Sequence, residues 1–209
     1  MPGPSLQTTA FVLTRRPAKD GYLAHGAFSP EHGALHLLQR APRGGAAATL
    51  PPLDLFDEAA LELEGGRGGR TWFVRGAVIV RRHTGIGRGY ETLRRASALA
   101  TLVDRHPVAE EDRTAVGALL ATALAAFDAG ARPDIVYLKA LYRFARDEGH
   151  PVREQWFPTL PAADRATVAH LLNQPLAAQT APPEEVDRLL GRLEHYLRGH
   201  TEILPHAEP

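Results

Sequence analysis

The chain has 209 residues, 44% hydrophobic and 23% charged, with no cysteine and a formal net charge of zero. That length suffices for one large domain or two small ones, at roughly 100–200 residues each, and the missing cysteine excludes disulfides and thiolate metal sites. No run approaches the ~20 apolar residues of a bilayer-spanning helix, and the opening MPGPSLQTT has neither a basic n-region nor an apolar h-region, so a cytoplasmic protein without membrane contact is expected.

The first ~85 residues read as β. Leu6–Arg15 is rich in Thr, Val, Phe and Leu, which suit a pleated surface. Pro17–Gly21 is a turn by its Pro, Asp and Gly. Tyr22–Phe28 is a second strand, Ser29-Pro-Glu-His-Gly33 has hairpin length, and Ala34–Arg40 is a third strand. In it Leu35 and Leu37 share one face, and His36, Leu38 and Arg40 the other. A Gly/Ala/Pro loop (42–52) leads to Leu53–Glu64, which ends in alternation, then to the tip GGRGGR (65–70). Thr71–Arg82 is the last and most hydrophobic strand. Five strands at hairpin spacing predict a small barrel or sandwich.

From Tyr90 the period changes to about 3.6. Helices are predicted over Thr92–His106, Glu110–Ala129, Asp134–Glu148 and Ala162–Asn173, with a Pro-broken connection over His150–Pro161. Pro182-Pro183-Glu184-Glu185 opens a last helix, which Gly199 ends. The fold class is therefore α+β, an N-terminal barrel over residues 1–85 followed by an all-α domain over 86–209.

No GxSxG, HExxH or phosphate-loop motif is present, and no catalytic residue is assigned. His32 and His36 lie on a turn and a strand, which suits solvated side chains better than a metal pair. Thr84-Gly-Ile-Gly-Arg-Gly-Tyr90 stands between a strand and a helix, where a phosphate-cradling loop would stand. Its glycine spacing departs from GxGxxG and no βαβ unit follows, which favours a joint between domains.

The charge is segregated: residues 1–95 hold 13 Lys/Arg against 8 Asp/Glu, and residues 96–209 hold 11 against 16. In the β half Arg15, Arg16, Lys19, Arg40, Arg43, Arg67, Arg70, Arg75, Arg81 and Arg82 gather at strand ends and loops, and Arg88 follows in the joint. Barrels of the OB type contact single strands at such positions, where guanidinium groups track phosphates. The alternative is that these arginines only solubilise a small barrel. Tyr22, Phe28, Trp72 and Phe73 are available for stacking, or for the core.

TTAFVLTRR, FSPEHGALHLLQRAPRG and Pro52-Leu-Asp-Leu-Phe56, with the closing RLEHYLRGHTEIL (192–204), resemble the RecO family of DNA repair and recombination mediators. The Ser29-Pro-Glu-His-Gly33 turn and the basic Gln39-Arg-Ala-Pro-Arg-Gly44 loop carry the likeness. Many RecO proteins hold zinc with two CxxC pairs; the corresponding stretch here, GHPVREQWFPTLP (149–161), has none, so no zinc and no other cofactor is expected. The resemblance implies an OB fold, a helical domain, and no covalent catalysis or small-molecule substrate. It implies binding of single- and double-stranded DNA, annealing of complementary strands, and partnership with RecR and the acidic C-terminal tail of the single-strand-binding protein SSB, so as to help load RecA. That tail needs an apolar cleft edged by cations, for which Lys139, Tyr142, Arg143 and Arg146 recur at helical spacing; intrahelical pairing with Asp147 and Glu148 is the competing reading. A protein-interaction adaptor that binds no DNA is the alternative function.

Overall fold

Five strands close into a ring in the sequence order 1-2-3-5-4, an OB-like arrangement, with clear inward–outward alternation along Gly33–Arg40 and Glu58–Gly65. The computed structural model describes residues 3–17, 21–41, 50–66, 71–130 and 132–205. The strands are β1 (Ser5–Pro17), β2 (Tyr22–Ser29), β3 (Gly33–Arg40), β4 (Glu58–Gly65) and β5 (Trp72–Arg81). All neighbours are antiparallel except β3 and β5, whose short parallel seam joins Leu37 to Trp72 and Leu38 to Phe73. The barrel core is Ala10, Val12, Ala27, Leu35, Leu37, Leu53, Ala59, Leu61, Leu63 and Val74. Gly33 closes the β2–β3 hairpin at φ 72°, a conformation that glycine adopts without a Cβ clash.

The segment expected to begin the fourth strand at Leu53 instead turns first, and the strand starts at Glu58. Leu53 is buried, its amide donating to Gln39 Oε1 at 3.0 Å, while Gln39 Nε2 donates to the Pro51 carbonyl at 2.8 Å. Phe56 sits at φ 68°, rare for a bulky side chain. Three bonds hold it there: the Phe56 amide donates to Val12 O and the Val12 amide to Asp57 O, both at 2.8 Å, and His83 Nδ1 meets Phe56 O at 2.8 Å.

The helices are α1 (Tyr90–Arg105), α2 (Arg113–Asp128), α3 (Pro133–Asp147), α4 (Ala162–Asn173) and α5 (Pro183–His200). The last extends one residue past Gly199, where the sequence pattern places its end. Two compact units are distinguished. The first comprises Met1–His83 with Val103–Ala118, the second Thr84–Leu102 with Leu119–Pro209. Within the first, Thr14 Oγ1 donates to Asp104 Oδ2 at 3.3 Å.

Within the second unit, apolar stripes at helical spacing on α3 and α5 are buried: Ile135, Leu138, Leu141, Tyr142 and Ala145, and Val186, Leu189, Leu190, Leu193, Tyr196 and Leu197. Arg188 grips Asp164 through two 2.8 Å bonds, tying α5 to α4. The Pro-broken connection is a π-turn (Val152–Trp156) followed by a 3₁₀ turn (Phe157–Thr159), with Val152, Trp156 and Leu160 buried. No helix among the described residues is long and apolar enough to cross a membrane.

His25 is an anomaly inside the barrel: it is 2% exposed, and both ring nitrogens lack a partner among the described residues. Burial lowers its pKa from the ordinary 6.5; Arg15 pushes the same way, while Asp54 and Asp57 oppose. A folded-state pKa below the unfolded one means that the unfolded chain takes up the proton more readily. The stabilising margin is therefore whole above about pH 6.5 and shrinks as pH falls through the folded value. Stability of the wild-type chain to urea should fall between about pH 7 and about pH 5, and His25→Leu should flatten that slope; an identical slope in both proteins would assign it to other groups.

Candidate nucleic-acid interface and cationic cleft

Strand register sorts the predicted arginines into groups that their order in the chain does not reveal. Arg15 and Arg82 belong to one rim. Arg15 Nη1 donates to Asp54 Oδ1 at 3.2 Å, and Arg82 donates through Nε and Nη2 to Asp57 at 3.0 and 2.9 Å. The Asp54 amide in turn donates to Asp57 Oδ2 at 2.9 Å, so the two ion pairs share one turn. The Asp57 side chain is wholly buried. Both guanidinium groups are thus ion-paired, Arg15 through an exposed contact and Arg82 to a buried carboxylate.

A second group lies on the outer face. Arg16 stands opposite Ala24, Tyr22 opposite Arg40, Ala24 opposite Leu38, and Leu38 beside Phe73. One rung around the ring thus runs from Arg16 to Phe73, with the Tyr22–Arg40 pair on the next. The Tyr22 and Phe73 rings meet edge to face, centroids 5.8 Å apart and planes at 65°. The Arg75 guanidinium lies 5.8 Å from the Phe73 centroid and is anchored by Glu64, which pairs across from Phe73. Arg75 is the extra residue where the β4–β5 register shifts, between Val74 opposite Leu63 and Gly76 opposite Glu62, and a bulge of this kind re-aims a side chain. Arg16 and Arg40 are exposed and make no ion pair with any described residue.

Of the other aromatic candidates, Phe28 is buried and Trp72 packs against the barrel core, which leaves Tyr22 and Phe73 facing outward. Arg81 is exposed near the end of β5. Arg88, also exposed, ends a 3₁₀ turn in the second unit. Lys19, Arg43, Arg67 and Arg70 lie outside the described residues.

The glycine loop before α1 is committed elsewhere. The Gly85 amide donates to Asp128 Oδ1 at 2.6 Å, so a carboxylate holds a position that a phosphate oxygen would need. That bond occupies the Gly85 amide, which a ligand at residues 84–90 would otherwise use.

The second unit contains a cleft of about 730 Å³ between α2, α3 and α4. Leu119, Ala123, Val136, Ala140, Phe157 and Leu172 give it apolar walls. All four residues singled out on α3, Lys139, Tyr142, Arg143 and Arg146, line it, and Arg153 of the π-turn joins them. Arg143 and Arg146 share a single carboxylate, Asp147, at 3.2 and 2.6 Å. Lys139 Nζ donates to the Gln174 carbonyl at 2.8 Å, and burial lowers its pKa. Arg153 makes no ion pair with a described residue. The intrahelical pairing weighed from the sequence therefore exists, yet it offsets one of four cations. Arg153 and Phe157 could not be read from helical spacing, because a separate turn brings them to the cleft.

Among the described residues no group of three or more His, Asp or Glu side chains is placed to hold a metal ion. Comparison with known proteins finds no matching family model and no curated protein of significant similarity.

Proposed function

We propose that the chain is a DNA-binding mediator of recombinational repair, acting as RecO-like proteins do and without covalent catalysis. It would bind single- and double-stranded DNA, anneal complementary strands, and help load RecA onto strands coated by SSB, with RecR as a further partner. The observation that carries the reading is the outer barrel face, where Arg16 and Arg40, without an ion-pair partner among the described residues, flank Tyr22 and Phe73. Cations there neutralise phosphate without reading base edges, as annealing two polyanions requires. The cleft supports the second half of the reading. Apolar walls with a cationic edge suit the SSB tail, which is acidic and ends in an apolar residue.

The test is annealing of SSB-coated complementary strands with the wild-type chain, with Arg16→Ala/Arg40→Ala, and with Lys139→Glu/Arg143→Glu. The first variant should lose annealing on bare and coated strands alike, with a flatter salt dependence of DNA binding. The second should lose it on coated strands only. Wild-type protein that anneals neither would remove the proposal.

A second reading, a protein-interaction adaptor, draws on the neutralisation of Arg15, Arg75 and Arg82 by Asp54, Glu64 and Asp57. Retention of the SSB tail without any salt-sensitive DNA binding would favour it.

A further inference from the structure

We propose that Tyr22 and Phe73 form a stacking platform for unpaired bases, so that the barrel discriminates a single strand from a duplex. This deepens the DNA-binding reading and rests on it. The two rings sit on neighbouring rungs of one outer face, 5.8 Å apart at 65°, in contact across β3. Both are half-buried, unlike Phe28, which is closed into the structure. The outer face also carries Leu38 and the exposed Val78, so the aromatic pair belongs to an apolar surface open to a flat ligand. Arg75 extends the platform: its guanidinium plane adjoins Phe73 and is kept there by Glu64, and a held guanidinium is itself a stacking surface. Arg16 and Arg40 stand on either side of β2, where a phosphate chain crossing the rings would pass.

The chemistry selects the ligand. Every base has a π-face, so stacking tolerates any sequence, but in a duplex those faces are already stacked on one another. The cations serve both forms of DNA, whereas the rings serve only the open one. This separates strand preference from overall affinity and assigns each to different residues.

The experiment measures fluorescence anisotropy of a labelled oligothymidylate and of a duplex of equal length, each across a salt series, with the full chain. Tyr22→Leu and Phe73→Leu should each weaken single-strand binding roughly 5- to 150-fold, leave duplex binding within about twofold, and keep the single-strand salt slope. Arg16→Ala/Arg40→Ala should weaken both forms and reduce the slope by roughly 0.7–0.9 for each phosphate no longer neutralised. Because Phe73 also packs against Tyr22 and Arg75, quenching of a 2-aminopurine probe within the strand provides a second readout on the wild-type chain, which should quench on binding. Leucine variants that weaken both forms equally, or neither, would overturn the platform while leaving DNA binding intact; so would binding without quenching. Wild-type protein that retains neither form at low salt would overturn the DNA-binding reading itself.

Discussion

Replacing Trp156 with alanine is expected to cost about 3–5 kcal/mol of unfolding free energy and to abolish uptake of an acidic peptide by the cleft. The indole is 2% exposed, lies 6.2 Å from the Tyr142 ring at 53°, and is among the largest fully buried side chains of the chain. Its removal leaves a void that the surrounding helices fill only in part. The functional effect comes from position. Trp156 is the apolar anchor of the π-turn, and that turn delivers Arg153 and Phe157 to the cleft. Such turns are uncommon, and loss of the larger of its two buried side chains weakens this one relative to an ordinary loop. Urea unfolding should show a lower midpoint, and a labelled SSB-tail peptide should no longer bind. Phe157→Ala, which alters a half-buried wall residue, should weaken the peptide with a smaller loss of stability. Equal stability of Trp156→Ala and wild type would show that the turn is held by something else.

Gly85→Ala is expected to destabilise the second unit by about 3 kcal/mol, from overpacking and a disrupted bond to a carboxylate. Conformation is not the obstacle, since Gly85 has φ −67° and ψ −27°, which alanine adopts readily. Space is: a Cβ there would collide with the backbone carbonyl of Asp128 and approach its Oδ1 to 2.8 Å. The same residue accepts the Gly85 amide bond at 2.6 Å, so relief of the clash means loss of the bond. Gly87 is the control, because a Cβ there meets nothing within 4 Å. Gly87→Ala should be neutral or stabilising by about 0.4–1 kcal/mol, through the unfolded chain. Thermal unfolding of the wild-type chain with and without added nucleotide separates a structural loop from a ligand loop: only a nucleotide site would be stabilised by the nucleotide.

Alternation made the strands of the barrel readable, and 3.6-residue spacing made the helices so. Where neither period exists, the sequence was silent. Leu53–Asp57 has the composition of a strand, yet Gln39 and the Phe56 bonds fold it into a turn, and those contacts come from residues far away in the chain. The most hydrophobic strand is not the most buried: Val78 and Val80 are 67% and 56% exposed, because a period of two turns every other residue of an apolar run outward. The connection over 150–161 reads as broken by proline, but burial of Val152, Trp156 and Leu160 orders it. The α3 side of the cleft was legible from spacing, and its other walls were not. The arginine cluster was legible as charge, but which of the described guanidinium groups are ion-paired depends on Asp54, Asp57 and Glu64, which only the fold brings into reach.

The ring of strands has one weak clasp. Among the described residues β3 and β5 share two rungs, while the other four seams have six to eight each. Thermal breathing of the cylinder should therefore begin between Leu38 and Phe73, under the aromatic pair, and spare the seams that β1 makes. A chain of nucleotides laid across that clasp would fasten it, so that occupancy and rigidity rise together and the protein stiffens where it grips.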